Sequence, residues 1–364
     1  MPGQFSVAIN TMPNPERIDL VRLRLGLTKM AFAERFGVDR KTVQRMEQGG
    51  EISEQLMERL CAISGYSRSF FEKSAIDYPS PDGVSFRSLR SLTAGPRDAA
   101  LAAGALAFEI DDWIRQRFEL PEHSIPQLNN RTPVAAAAAV RAAWGIGEKP
   151  IANMVNLLEA HGVRVFSLVE ETRHLDAYSF WRNEKPYVFL NTLKTAEHSR
   201  FDAAHELGHL VMHRHSGSNH KTAEDEANAF ASAFLIPPND LVAKLPRAQS
   251  LRQIIQWKKR WGVSAAALNY ALRKNDLISE WHYRGNYIQL NKLGKENEPD
   301  AMERETSQIW KKILSALWSE GIAISHIAKE LAIPEAEISN LLFRITAHPK
   351  RPSDARNNKL KLVE

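Results

Sequence analysis

The stretch FDAAHELGHLVMHRH, residues 201–215, sets four histidines and a glutamate in an apolar surround. His205 and His209 stand four residues apart, so on a helix their side chains lie on one face, one turn apart. Two imidazoles placed that way can bind one zinc ion, each nitrogen about 2.0–2.1 Å from the metal. Glu206 is turned about 100° from His205 by helix geometry, which removes it from the ligand set. That position suits a general base that holds the attacking water and takes its proton. Zinc needs a third protein ligand, and Glu224 in EDEANAF is the best candidate. Asp225 and Glu226 compete with it, because helix rotation lets just one of 224 and 226 face the metal. Asn228, one turn beyond Glu224, is placed to partner a ligand histidine from behind. His213 continues the His205/His209 face, as such a partner or as a spare ligand, while His198, His215 and His220 read as loop or helix-end residues. The competing reading is a buried helix with structural histidines. The apolar flanks Phe201, Leu207, Leu210, Val211 and Phe230, and the acidic helix that follows, favour the metal.

A second group of residues suggests a different chemistry. GLTKMAFAERFGVDRKTVQRMEQG, residues 26–49, has the outline of a helix-turn-helix. One helix runs from the cap residue Thr28 to Phe36, Gly37 makes the turn, and the next helix runs from about Asp39 to Gln48. The N-terminal half of that next helix would enter the major groove of double-stranded DNA. Arg40, Lys41, Thr42, Gln44 and Arg45 are donors for phosphates or base edges, and Val43 and Met46 face the module's own core. Residues 35–45 carry four basic side chains against one acidic. The alternative is a small helical interaction domain with a solvated basic helix.

The bulk properties narrow the classes. At 364 residues, with 43% hydrophobic and 25% charged, the chain reads as an ordinary globular protein of two or more domains. A single cysteine excludes an intramolecular disulfide and cysteine-based zinc sites, and it suits a reducing cytosol. No apolar run is long enough for a membrane span, and the first residues lack the pattern of a secretory signal. Six basic and two acidic residues between Arg344 and Glu364 place much of the net charge of +5 in a basic tail.

Stepping along the chain, leucines and phenylalanines at three- and four-residue steps over 16–65 predict several short helices. The Pro-, Gly- and Ser-rich stretch within 66–98 predicts a linker or an extended arm. A helix is expected over 97–119, then a pair at 134–145 and 150–162, the latter with Pro150 in its first turn and Gly162 as its stop. Alternation predicts strands at 163–170, 177–181 and 187–191, with the last, YVFLN, offered as an edge for an extended substrate. Helices follow at 222–235 and about 250–260. The helical hairpin ISHIAKELAIPEAEISNLLF is expected to pack or to form a dimer rather than to read DNA, since its second helix is acidic.

These motifs together resemble an XRE-type helix-turn-helix fused to an ImmA/IrrE-type metallo-endopeptidase domain. The first resemblance rests on residues 26–49 and the second on RFDAAHELGHLVMH followed by EDEANAFASAFLIP. Lys29 and Met46 depart from the residues frequent at their positions in XRE modules. Pattern and resemblance together lead to the expectation of a multidomain chain: an all-α helix-turn-helix DNA-binding domain at 1–70, a linker and helix at 71–130, a zincin-like α+β domain with a small sheet at 131–280, and a helical C-terminal region with a basic tail at 281–364, for which the resemblance implies nothing. The resemblance favours Glu224 over its neighbours, so that His205, His209 and Glu224 hold zinc with Glu206 as general base; the places of Asn228 and His213 behind the ligands rest on helix spacing alone. It adds Lys29 to the DNA-contacting set of Arg40, Lys41, Thr42, Gln44 and Arg45. It implies a regulator, expected as a homodimer on a near-palindromic operator, that cleaves a repressor or partner protein. The alternative is a regulator whose zincin-like domain senses metal, ligand or partner without proteolysis. Either is expected in the bacterial cytoplasm, on the nucleoid when bound to DNA, with no membrane partner. Tyr178 and His213 are candidate stabilisers of the oxyanion.

Overall fold

A computed structural model describes residues 12–79, 93–168, 177–214, 220–245, 250–294, 297–343 and 345–346. The chain divides into two units, one made of 1–78, 93–114 and 321–339, the other of 79–92, 115–320 and 340–364. This division differs from the four consecutive segments expected from the sequence, because side chains late in the chain pack into the first unit.

In the first unit, α1 (Pro15–Arg24), α2 (Lys29–Phe36), α3 (Arg40–Met46), α4 (Glu54–Ser64) and α5 (Arg68–Glu72) precede the long α6 (Ala94–Arg115). Ile18, Val21, Phe32, Phe36, Val43, Met46 and Leu60 are buried and form the core. The turn between α2 and α3 is set by local chemistry. Thr28 caps α2 by accepting from Ala31 N, Gly37 takes the left-handed conformation (φ 64°), and Asp39 caps α3 by accepting from Thr42 N at 2.7 Å. Tyr66, Phe70 and Phe71 are buried, so the stretch expected to begin a linker at 66 is instead part of this unit. The helix expected at 97–119 starts and ends earlier, at 94 and 115. The hairpin α16 (Ile324–Leu331) and α17 (Glu335–Phe343) contributes its first part here. Trp113 Nε1 donates to Glu330 at 2.7 Å, Lys73 Nζ to the Leu331 carbonyl at 2.7 Å, and Arg24 Nε to Glu337 at 3.0 Å. Of the two roles expected for that hairpin, these bonds show packing.

In the second unit, α7 (Pro133–Ala143) and α8 (Met154–Ala160) lead into β1 (Arg164–Ser167), β2 (Ala177–Arg182) and β3 (Lys185–Leu190). Helix α8 begins later than expected, because Asn153 rather than Pro150 starts it by accepting from Asn156 N at 2.8 Å. The sheet order is β1-β3-β2, with β1 parallel and β2 antiparallel to β3. Asn183 and Glu184, both at positive φ, close the β2–β3 hairpin. The strand expected to offer an edge, YVFLN, is therefore the middle strand, paired on both sides, and β2 lies at a margin of the sheet. Beside the sheet run α9 (Ala196–Met212) and α10 (His220–Leu235), followed by α11 (Pro238–Lys244), α12 (Leu251–Trp261), α13 (Ala265–Lys274), α14 (Glu280–Leu293) and α15 (Gln308–Ser319). This helix-rich unit with a small mixed sheet fits a zincin-like α+β domain.

Several buried polar groups of this unit are paired across elements. Lys258, 2% exposed, lies between Glu197 at 2.8 Å and Glu298 at 3.0 Å, and Trp310 Nε1 of α15 donates to the Val165 carbonyl of β1 at 2.7 Å. Arg141 of α7 donates to the Phe234 carbonyl at the end of α10. Apart from Ile345 and Thr346, the expected basic tail lies outside the described residues, as does His215. Among the described residues no helix is long and apolar enough to cross a membrane.

Candidate metal centre

Helices α9 and α10 pack closely because Gly208 has no side chain. A Cβ there would stand 3.1 Å from Phe230 Cδ1 and 3.3 Å from Ala227 Cα, so a methyl group would fit only if Phe230 or α10 gave way by a few tenths of an ångström. Thr195 starts α9 by accepting from His198 N. The helix then carries His205 and His209 on one face, toward Glu224 of α10.

Glu224 is the acidic residue of its segment that meets both histidines. Its two oxygens lie 3.3 Å from His205 Nε2 and 3.3 Å from His209 Nε2, and the two Nε2 atoms are 3.1 Å apart. Ligands at a tetrahedral zinc are about 3.3–3.4 Å from one another when each bond is about 2.0–2.1 Å. The three donors thus already have nearly the mutual spacing a zinc ion requires, and among the described residues they form the group able to hold a metal. Burial disfavours charge on Glu224, yet the hydrogen bonds from both histidines hold its pKa well below the ordinary carboxylate range. Burial by itself would lower the pKa of His205, but Glu224, with the charge of Glu206 near it, holds it above its ordinary value.

The expected supporting residues are also in place. His205 Nδ1 donates to Asn228 Oδ1 at 3.0 Å, which leaves Nε2 as the atom turned toward Glu224. His209 Nδ1 lies 3.1 Å from His213 Nδ1, and His213 Nε2 lies 2.9 Å from Glu226 Oε2. Once the Nε2 protons shared with Glu224 are lost, a consistent arrangement remains: His213 donates from Nε2 to the Glu226 carboxylate and accepts from His209 Nδ1–H, which leaves His209 Nε2 with its lone pair. Burial, opposed in part by Glu226, keeps His213 below its ordinary pKa, in line with a neutral ring. Glu226 therefore serves His213 while Glu224 meets the ligand histidines, and exposed Asp225 faces neither.

Glu206 is 2% exposed and points to the sheet side of α9. Ser179 Oγ of β2 donates to Glu206 Oε2 at 2.6 Å. Sequence reasoning missed Ser179. The signal for it was strand alternation, which sets Ser179 and Tyr178 on opposite faces of β2. Tyr178 accordingly stacks on Phe189, ring centroids 4.6 Å apart, on the face away from α9. That position removes it as an oxyanion stabiliser.

Residues 158–273 match the family model Peptidase_M78, the IrrE N-terminal-like domain.

The match runs from the end of α8 through the sheet and the three converging side chains into α13. It marks this part of the chain as a metallopeptidase-like domain. No curated protein matches the chain.

On the first unit, Arg40, Lys41, Gln44 and Arg45 are exposed on α3, and Thr42 is half-buried with its backbone N–H taken by the Asp39 cap. Lys29 stands apart from this set. It pairs with Glu47 at 2.6 Å, in a network where Arg22 binds both Glu47 and Asp19. Glu47 follows α3 and reaches back to α1 and α2, where it holds Lys29, whose side chain stays 42% exposed. Burial raises the pKa of Asp19, while the bonds from Lys29 and Arg22 overcome burial to lower that of Glu47.

Proposed function

We propose that this protein is a DNA-binding regulator whose metallopeptidase-like domain hydrolyses a peptide bond in a protein partner. The observation that carries the enzymatic part is the convergence of His205, His209 and Glu224, each histidine held with Nε2 available. Zinc, were it held by these three residues, would supply Lewis acidity for the activation of a water molecule. Asn228 and the His213–Glu226 pair orient the ligand rings. Glu206, anchored by Ser179, takes the proton of the water as its oxygen attacks the carbonyl carbon, and delivers it to the departing amine as the C–N bond breaks.

The exposed basic face of α3 supports the DNA-binding part. Four donors stand free on a capped helix whose other face, Val43 and Met46, is buried. Such a helix presents its first turns to the major groove, and a dimer would read two half-sites. The repressor or partner that is cleaved, and the signal that triggers cleavage, follow from neither helix.

The test uses the full-length protein loaded with zinc, a mixture of synthetic peptides, and mass spectrometry of the products. Wild type is expected to cleave, and Glu206→Gln to keep one zinc per chain while losing cleavage. Wild type that holds zinc and cleaves nothing, or a Glu206→Gln variant as active as wild type, would overturn the hydrolytic reading. Zinc-dependent DNA affinity without cleavage would point instead to a sensor domain. Enrichment of duplexes from a random pool tests the DNA-binding part, and no enrichment at low salt would refute it.

A further inference from the structure

A cavity of about 810 Å³ lies between the first half of α9 and helices α10, α13 and α14. Its wall includes His198 and Phe201. His198, Phe201, His205 and His209 follow one another at three- and four-residue steps, so they share one helix face. The cavity thus begins one helical turn, about 6 Å along the axis, from His205. Asn228 joins the two places: its Oδ1 holds His205, and the residue also lines the cavity. An extended peptide advances about 3.3 Å per residue. A residue one or two positions from a bond held at the metal centre therefore reaches the cavity.

The lining is mixed, with Glu197, Asp225, Lys274 and Glu298 adding charge around an apolar part. Phe201, Ala267, Tyr270, Tyr287 and Leu290 supply apolar surface. Tyr270 and Tyr287 are 52% and 46% exposed, so large rings are left open to solvent at this wall. Asn228 and Asn291 add amides, which can pair with both the N–H and the C=O of a peptide backbone. An apolar small molecule would leave these amides unmatched. The volume lies in the upper part of the range for ligand sites, about 300–1,000 Å³, and leaves room for a large side chain together with its neighbouring backbone.

We infer that this cavity is a specificity subsite: it receives a bulky apolar side chain of the substrate, of the Phe, Leu or Met class, one or two residues from the scissile bond. The assignment rests on the hydrolytic reading of the His205–His209–Glu224 centre. Tyr270, Tyr287 and Leu290 contact the side chain, while the Asn228 Nδ2 and Asn291 amides hold its backbone. Replacing the side chain by Ala removes roughly tenfold to a hundredfold in specificity, the equivalent of burying one large apolar group.

The experiment has two arms on the full-length, zinc-loaded protein. In the first, peptides that differ at one position, Phe or Leu against Ala or Asp, compete for wild-type enzyme, and products are sequenced. Cleavage is expected to cluster one or two residues from Phe, Leu or Met. In the second, fluorescein-labelled Phe and Ala peptides are titrated onto Glu206→Gln protein, which reads binding without turnover. Ala267→Trp, which fills the cavity, and Tyr287→Ala, which trims an exposed wall, are each expected to reduce the Phe-over-Ala preference at least about fivefold. If the Phe peptide binds and both variants weaken it while no peptide is cleaved, the subsite stands and the hydrolytic reading fails. If peptides are cleaved without regard to neighbouring residues and both variants leave the profile unchanged, hydrolysis stands and the subsite is refuted. A cavity that takes an apolar dye but does not discriminate the Phe from the Ala peptide also refutes it.

Discussion

The two supporting arms of the metal centre should contribute unequally to zinc affinity, and Asn228→Ala beside His213→Ala measures the difference. Asn228 accepts a single bond from His205, and it is exposed, so water can replace the lost oxygen. A replaced hydrogen bond of this kind is worth about 0.5–1.5 kcal/mol, so Asn228→Ala should weaken zinc binding by about tenfold or somewhat less. His213 is placed differently. It stands between His209 and the Glu226 carboxylate, with its side chain 10% exposed, and His209 is 8% exposed. Removing it leaves the part-buried His209 Nδ1–H without its acceptor and lets the ring turn. The loss should lie nearer the upper end of the range for such partners, about a hundredfold or 2.7 kcal/mol.

The assay is competition with a chromophoric zinc chelator at pH 7.5, after circular dichroism has shown that both variants keep the wild-type helix content. His213→Ala should bind zinc more weakly than Asn228→Ala, and Glu226→Ala should fall between wild type and His213→Ala because it removes the far partner alone. Equal affinities for all four proteins would refute the claim that these hydrogen bonds orient the ligands. The reverse order would show that exposure has been weighed wrongly.

Other outcomes test other parts of the chain. Asp240 accepts from Arg260 at 2.8 and 3.0 Å and from Trp261 at 2.9 Å, and the Arg260 bonds hold its pKa below the ordinary 3.8. A depressed carboxylate stabilises the fold above its unfolded pKa and loses that contribution as pH falls through the folded value. Asp240→Asn should therefore cost about 1–3 kcal/mol in urea unfolding at pH 7, and the cost should shrink below about pH 4; a constant cost across that range would refute the assignment. Arg40→Ala and Arg45→Ala should each weaken binding to a selected duplex and, where the contact is to phosphate, reduce the salt slope by about one; wild-type affinity and slope in fluorescence anisotropy would remove these residues from the interface. Ser179→Ala should keep zinc and lower turnover about tenfold, as loss of one hydrogen bond to a carboxylate implies, and unchanged kcat would deny it a positioning role. Gly208→Ala gains up to about 1 kcal/mol of helix propensity but meets Ala227 and Phe230 at 3.1–3.3 Å. Zinc affinity should fall more than thermal stability does, and intact affinity would show that the helices can absorb a methyl group.

Much of the site was legible in the sequence because a helix turns spacing into direction. The step from His205 to His209 sets a shared face in any helix, and the placing of Asn228 one turn beyond Glu224 used the same rule on α10, whereas the choice of Glu224 over Asp225 and Glu226 came from the family resemblance. Ser179 was out of reach because its partner is brought close by the sheet. Nothing local in AYSFW says which face of the strand will meet α9. The edge assigned to YVFLN failed for a related reason, since strand order depends on how β1, more than twenty residues earlier, pairs beside it. Lys29 shows a third limit. Its charge fits a DNA contact, but Glu47 competes for it, and a sequence does not rank an internal partner against an external one. The domain lines were misjudged at the C-terminal end because Glu330 and Glu337 meet Trp113 and Arg24, far back in the chain.

Gly208 connects local pattern and tertiary geometry most directly. Read alone, HELGH makes the glycine a weak point in a helix, since it costs stability relative to alanine. In the folded unit it lies close against Ala227 and Phe230 of α10, the helix that also brings Glu224 and Asn228 to His205 and His209. The same packing sets Phe230 against α9 and leaves Phe201, two turns earlier, to line the cavity. A residue with no chemistry of its own thus governs the distance between two ligand histidines and the third ligand. The tolerance is small: ligand atoms 3.1–3.3 Å apart leave no more than a few tenths of an ångström before a tetrahedral ion would no longer fit all three. A motif scored by its histidines and glutamate alone misses the residue that decides whether the second helix can complete it.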